Sequence, residues 1–72
     1  MSPEKMTMMA NQIATFFKTQ PGNGQADAVA AHINDYWEPR MRAQLIQHAE
    51  AGGTGLDPLV MQAVGAIRVP AD

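Results

Sequence analysis

His32-Ile33-Asn34-Asp35-Tyr36-Trp37-Glu38-Pro39-Arg40-Met41-Arg42 decides how the chain is read, because one proline interrupts an otherwise helix-compatible run. Proline cannot continue a helix and disfavours the α region for the residue before it, yet it suits the first position of a new helix. The stretch therefore predicts a helix ending near Trp37, a junction at Glu38 and a new helix starting at Pro39. Upstream, Ala26, Val29, Ala30, Ile33, Tyr36 and Trp37 share a face at helical spacing, which starts the first of these helices at about Gln25. Downstream, Met41, Leu45 and Ala49 define an apolar face that runs to about Ala51, where Gly52-Gly53 stops it.

Two further helices flank this pair. Ser2 can cap a helix with Pro3 at its first position and Glu4 in its first turn, and the pattern runs to about Thr19 before Gln20-Pro21-Gly22-Asn23-Gly24 ends it. On that helix Met6, Met9, Ala10, Ile13, Phe16 and Phe17 are expected on one face, with Met8 turned away beside Thr15 and Gln12. Asp57 and Pro58 read as the cap and first residue of a fourth helix, expected to end near Ile67, with Pro70 closing a short tail. Gly65 weakens its last turn. Strand-like alternation and internal repeats are absent, so the class is all-α: a bundle of about four short helices joined by Gly/Pro turns, in a single helical domain spanning residues 1–72.

Such a chain buries only about 60% of the surface it exposes when unfolded. The bulky core set is short: Ile13, Phe16, Phe17, Val29, Ile33, Trp37, Leu45, Ile46, Leu59, Val60, Val64 and Ile67. Small scaffolds add disulfides, a metal or a partner, and with no cysteine the first is impossible, as are a thiolate zinc site and an iron–sulfur cluster. A partner chain is the remaining support. Net charge is −2 and no run of Lys or Arg occurs, so the footprint of a nucleic-acid binder is missing. Every apolar run is shorter than the ~20 residues that span a bilayer, and neither a signal-type h-region nor twin arginines occur. The expectation is a soluble, cytoplasmic protein without membrane contact.

Catalytic constellations fail on spacing. The two histidines fall on different helices without an i+4 partner, and Asp35 and Glu38 flank a helix break in a chain too small to enclose a substrate. Ser2 lacks a nucleophile elbow, and the glycine-rich pieces lack the strand and lysine of a phosphate loop. No catalytic, cofactor-binding or metal-binding residue is assigned. The Pro39 junction offers free N–H groups near Arg40 and Arg42, which could receive an anion, but residues i and i+2 diverge by about 200° on a helix and cannot easily grip one small group. Arg42, at the flank of the apolar face beside Ile46, is the expected internal or interfacial anchor, against the plainer reading of a pair with Asp35, Glu38 or another nearby carboxylate. Arg40 lies across the helix with Ala43 and Gln47. Trp37 suits the core. Met8 and Met61 project opposite their helices' apolar faces, where unbranched, polarizable side chains fit irregular protein contacts. The partner-facing set is therefore Trp37, Arg40, Met41, Arg42, Met8 and Met61.

Three blocks, Met9-Ala10-Asn11-Gln12-Ile13-Ala14-Thr15-Phe16-Phe17, the stretch quoted first, and Gly55-Leu56-Asp57-Pro58-Leu59-Val60, occur in an order that resembles the small delta subunit of NAD-dependent, molybdenum-containing formate dehydrogenases. That resemblance implies a non-catalytic subunit that docks on a large catalytic subunit, alongside a diaphorase subunit, and stabilises or matures it. It implies a partner complex with molybdopterin guanine dinucleotide, iron–sulfur clusters and flavin (FMN), none with ligands in this chain. Phe16, Phe17, Trp37, Pro39, Arg40, Met41 and Arg42 carry over as fold or interface positions. The alternative is a free-standing helical adaptor or regulatory module for an unrelated protein. An autonomous small enzyme is a third class, disfavoured by size and the missing constellation.

Overall fold

Three helices begin with a capping position followed by proline, and the chain folds accordingly. A computed structural model describes residues 1–68, with four α-helices, a short 3-10 turn and no strand among those residues. Helix α1 spans Pro3–Lys18, with the Ser2 hydroxyl accepting from the Lys5 N–H at 3.2 Å. Helix α2 covers Gln25–Tyr36 and α3 Pro39–Glu50; Trp37 and Glu38 between them are both extended, as the proline requires. Helix α4, Pro58–Ala63, is capped by Asp57, whose carboxylate accepts from the Leu59 N–H at 2.8 Å.

Glycine ends α3 by a specific route. The N–H of Gly53 reaches the His48 carbonyl at 2.9 Å and that of Gly52 reaches Ala49 at 3.1 Å, the paired bonds of a Schellman motif, with Gly52 at φ 115° where a side chain would be strained. The α1–α2 turn is closed by Gln25, whose amide donates to the carbonyls of Gln20 and Gly22.

Helix α2 is the hub, packing on α4 and α1, while α1 also touches α3 and α4. One core joins them: Met6, Ala10 and Ala14 from α1, Val29, Ala30 and Ile33 from α2, then Trp37, Leu45, Val60, Ala63 and Ile67. Four of these are alanines, which let helix backbones approach closely. Met9, Ile13, Phe17, Met41, Ile46, Leu56, Leu59 and Val64 pack against this cluster.

Three expectations are corrected. Phe16, placed on the core face, is 59% exposed, because the buried stripe follows Met6, Ala10 and Ala14. It projects about 120° around the helix from Ala10 and about 160° from Ala14. Tyr36, grouped with the buried face of α2, is 76% exposed. It is the last helical residue, and the extended turn after it sends Trp37 into the core instead. The fourth helix stops at Ala63; Val64–Ala66 tightens into a 3-10 turn around Gly65, and Ile67 turns back, extended and buried. A helix continuing through Gly65 would have cost about 1 kcal/mol relative to alanine there. Pro70, expected to close the tail, lies outside the described residues.

Candidate protein-interaction surface

Two flanks border the buried stripe of α1, and they differ in chemistry. On one, Met9, Gln12, Ile13, Phe16 and Phe17 line a groove of about 390 Å³ with His32 of α2 and the edge of Trp37. The rings form a chain across α1 and α2. Phe16 meets Phe17 at 5.1 Å between centroids, nearly perpendicular; Phe17 meets His32 at 6.2 Å; His32 meets Tyr36 at 4.8 Å. The first two contacts are edge-to-face, which aligns aromatic quadrupoles favourably, whereas the His32 and Tyr36 rings are tilted by 41°. Adjacent residues on a helix point about 100° apart, so Phe16 and Phe17 cannot both enter the core. Phe17 packs against it and Phe16 stays outside.

The other flank is finished within the chain. The Asn11 amide donates to the Gly55 carbonyl at 2.9 Å, and its oxygen accepts from the Asp57 N–H at 2.8 Å, fixing the loop before α4. Lys18 pairs with the Asp57 carboxylate on the same side. That carboxyl titrates below its ordinary value, first because Lys18 donates to it and then because the Leu59 N–H does, with burial opposing both. Asn34 repeats the arrangement on α2: its amide donates to the Ala66 carbonyl at 3.1 Å and its oxygen accepts from the Arg68 N–H at 2.8 Å. Each asparagine thus reads a C=O and an N–H two residues apart, and the residue between them, Leu56 or Ile67, turns inward.

At the α2–α3 corner, Arg42 turns back under α2. Its Nη1 donates to the carbonyls of Asn34 at 2.9 Å and Trp37 at 3.5 Å, where the last turn of a helix leaves carbonyls unpaired and the helix dipole favours a cation. Its Nε is buried without a partner. The anchor is internal and its partners are backbone carbonyls, not the carboxylates of Asp35 or Glu38, both of which are exposed. With that guanidinium turned into the corner, the anion site imagined at the start of α3 keeps only the exposed Arg40.

Of the residues expected to face a partner, the structure gathers Trp37, Met41 and Arg42 near the corner. Trp37 is 6% exposed, spent on the core, with an edge at the groove floor. Met41 is half-buried against the core. Met8 is 58% exposed on the far side of α1, and Met61, 40% exposed, lies over Gly53, where a Cβ would collide with its sulfur. Of the six, only Trp37 lines the groove; Arg40, Met41, Arg42, Met8 and Met61 do not. His32, Gln12, Met9 and Ile13 were not foreseen as its lining; the adjacent Phe16-Phe17 pair was the signal that could have found it.

A second hollow of about 360 Å³ lies between the start of α1 and the end of α3, where His48 Nε2 stands 2.8 Å from the Thr54 carbonyl oxygen. Among the described residues no three His, Cys, Asp or Glu side chains converge as metal ligands. None of the helices there is long and apolar enough to cross a membrane.

The family described as NADH-dependant formate dehydrogenase delta subunit FdsD matches residues 5–64 of the chain, which contain the whole groove, the corner, Asn11 and Asn34. No curated protein matches it.

Proposed function

The chain belongs to the delta-subunit family of NADH-dependent formate dehydrogenases, and from that premise we propose that it is a non-catalytic subunit that docks on the large molybdenum-containing subunit and stabilises or matures it. The groove between α1 and α2 is the docking surface. The observation that carries this reading is the exposure of Phe16 and Tyr36 at the two ends of an aromatic chain with Trp37 beneath it. Buried aromatics dominate interface energetics, and Trp and Tyr are enriched among the residues whose loss costs most. A partner that wraps more than one side of the bundle also meets Met8, Arg40 and Met61.

Electron transfer between formate and NAD belongs, in this reading, to the catalytic and diaphorase subunits in the cytoplasm. Molybdopterin guanine dinucleotide, iron–sulfur clusters and flavin are held there. This chain has no cysteine to contribute a thiolate ligand. Its own contribution is to cover apolar surface on the large subunit and to hold that surface in one shape.

The test is titration of the chain against the formate dehydrogenase complex purified without it. Replacing Phe16 and Tyr36 together by alanine should weaken binding by about 2 kcal/mol or more, as expected for centrally placed aromatic residues. Circular dichroism of the same samples should leave helicity unchanged. Binding equal to the parent's would remove the groove as the docking surface.

A further inference from the structure

We propose that Asn23, in the turn between α1 and α2, is a spontaneous modification site that converts to aspartate and isoaspartate through a cyclic imide closed by the Gly24 backbone nitrogen. The chain has three asparagines, and two are occupied. Both amide atoms of Asn11 and both of Asn34 are hydrogen-bonded, and both residues sit within helices. Asn23 is exposed, lies outside any helix and makes no hydrogen bond with a described residue through its amide. Its neighbour is glycine, with φ 88° and open space where a Cβ would stand, so no side chain on that residue hinders attack by its nitrogen. The Gly24 N–H has no hydrogen-bond partner among the described residues, because Gly24 is the cap of α2 and engages only its carbonyl, which accepts from Ala28 at 3.0 Å.

The Gly24 nitrogen gives its proton to solvent base and attacks Cγ of Asn23. The N–Cγ bond forms, the Cγ–NH₂ bond breaks, and ammonia leaves with a proton. Water then opens the five-membered ring. Cleavage of the bond from the imide nitrogen to Cγ gives aspartate; cleavage of the bond from that nitrogen to the main-chain carbonyl carbon gives isoaspartate, with the backbone rerouted through the side chain. The net change is one amide plus one water to one carboxylic acid plus one ammonia, with no oxidant or reductant.

The product adds one negative charge to a chain of formal net charge −2. It places that charge one residue before the N-terminal cap of α2, which has no side-chain acceptor of its own. The isoaspartate form also lengthens the main chain inside the turn that Gln25 closes on Gln20 and Gly22.

The experiment incubates the full chain at neutral and mildly alkaline pH, folded and in urea, and follows each asparagine by peptide mapping with mass spectrometry. Isoaspartate is read separately by enzymatic methyl transfer from S-adenosylmethionine. In the folded chain, conversion should be at least about tenfold faster at Asn23 than at Asn11 or Asn34, and its rate at Asn23 should lie within about threefold of that in urea, because no local opening has to precede it. It should rise with pH, and Asn23→Gln should abolish the methyl-accepting product. An Asn23 that stays an amide in the folded chain while it converts in urea would overturn the proposal, as would equal conversion at all three asparagines.

Discussion

On one flank of α1 the Asn11 amide takes the Gly55 carbonyl and the Asp57 N–H, while on the other Met9, Ile13 and Phe16 face a groove that no described segment of the chain fills. The first flank is completed by hydrogen bonds whose donors and acceptors all lie within the bundle. The second is apolar and gains only when another surface covers it. The two flanks thus differ in whether the chain itself completes them. The difference arises because polar groups must be paired in place, whereas an apolar ring can remain exposed at modest cost.

The largest effect should come from Trp37→Ala, since that ring belongs to both sides, in the core and under the groove. Loss of a buried aromatic of this kind costs about 3–5 kcal/mol, and chemical denaturation should show most of the chain unfolded without denaturant if its total stability is in that range. Arg42→Ala comes next. It leaves two carbonyls at the end of α2 without their charged donor, and a loss of about 1.5–3 kcal/mol in unfolding free energy, read as a lower denaturation midpoint, is expected. An unchanged midpoint would mean that solvent takes over those carbonyls and that the corner does not depend on its guanidinium.

Asn11→Ala tests the finished flank. It should cost about 1–2 kcal/mol by leaving the Gly55 and Asp57 backbone groups unpaired, while the affinity of the folded fraction for the enzyme complex stays that of the parent. A loss of affinity without a loss of stability would place the partner on that flank. Asp57 gives a smaller effect that depends on pH. Its carboxyl ionises more readily folded than unfolded, so its contribution is fully present above about pH 4 and is lost as pH falls through the lowered value. Asp57→Ala removes the cap at a cost of about 1 kcal/mol at neutral pH. Its stability curve should converge with the parent's in acid; a constant gap down to low pH would show that the cap, not the charge, is all that matters. Smallest is Phe16→Ala, within about 0.5 kcal/mol in stability, because an exposed ring leaves little behind when removed.

Local signals were read well from the sequence. Ser2-Pro3, Glu38-Pro39, Asp57-Pro58 and Gly52-Gly53 mark helix ends that the structure places within a residue or two, since each works through the chain's own dihedral limits and nearest hydrogen bonds. What was missed depends on distant neighbours. The direction of Phe16 follows from which alanines α2 selects, and the partners of Arg42, Asn11 and Asn34 lie elsewhere in sequence. The end of α4 was misplaced for the same reason, because Ile67 leaves the helical path to reach a core that only the folded bundle provides. Of the surface, the Phe16-Phe17 pair and the density around Trp37 were visible, but their joining into one groove requires the packing of α1 against α2.

The two asparagine clamps join residues separated in sequence by 44 and 46 positions for Asn11 and by 32 and 34 for Asn34. Contacts between residues so far apart close large loops, whose entropic cost must be met before the bonds return anything. Helices α1 and α2 can form and pair first, since each needs only nearby residues and a six-residue connection. The loop before α4 and the pair Ile67-Arg68 are then expected to lock last. Their backbone groups bind to amides that the helices already hold in position, so native-state hydrogen exchange is expected to show these two segments opening at lower free energy than α1 and α2.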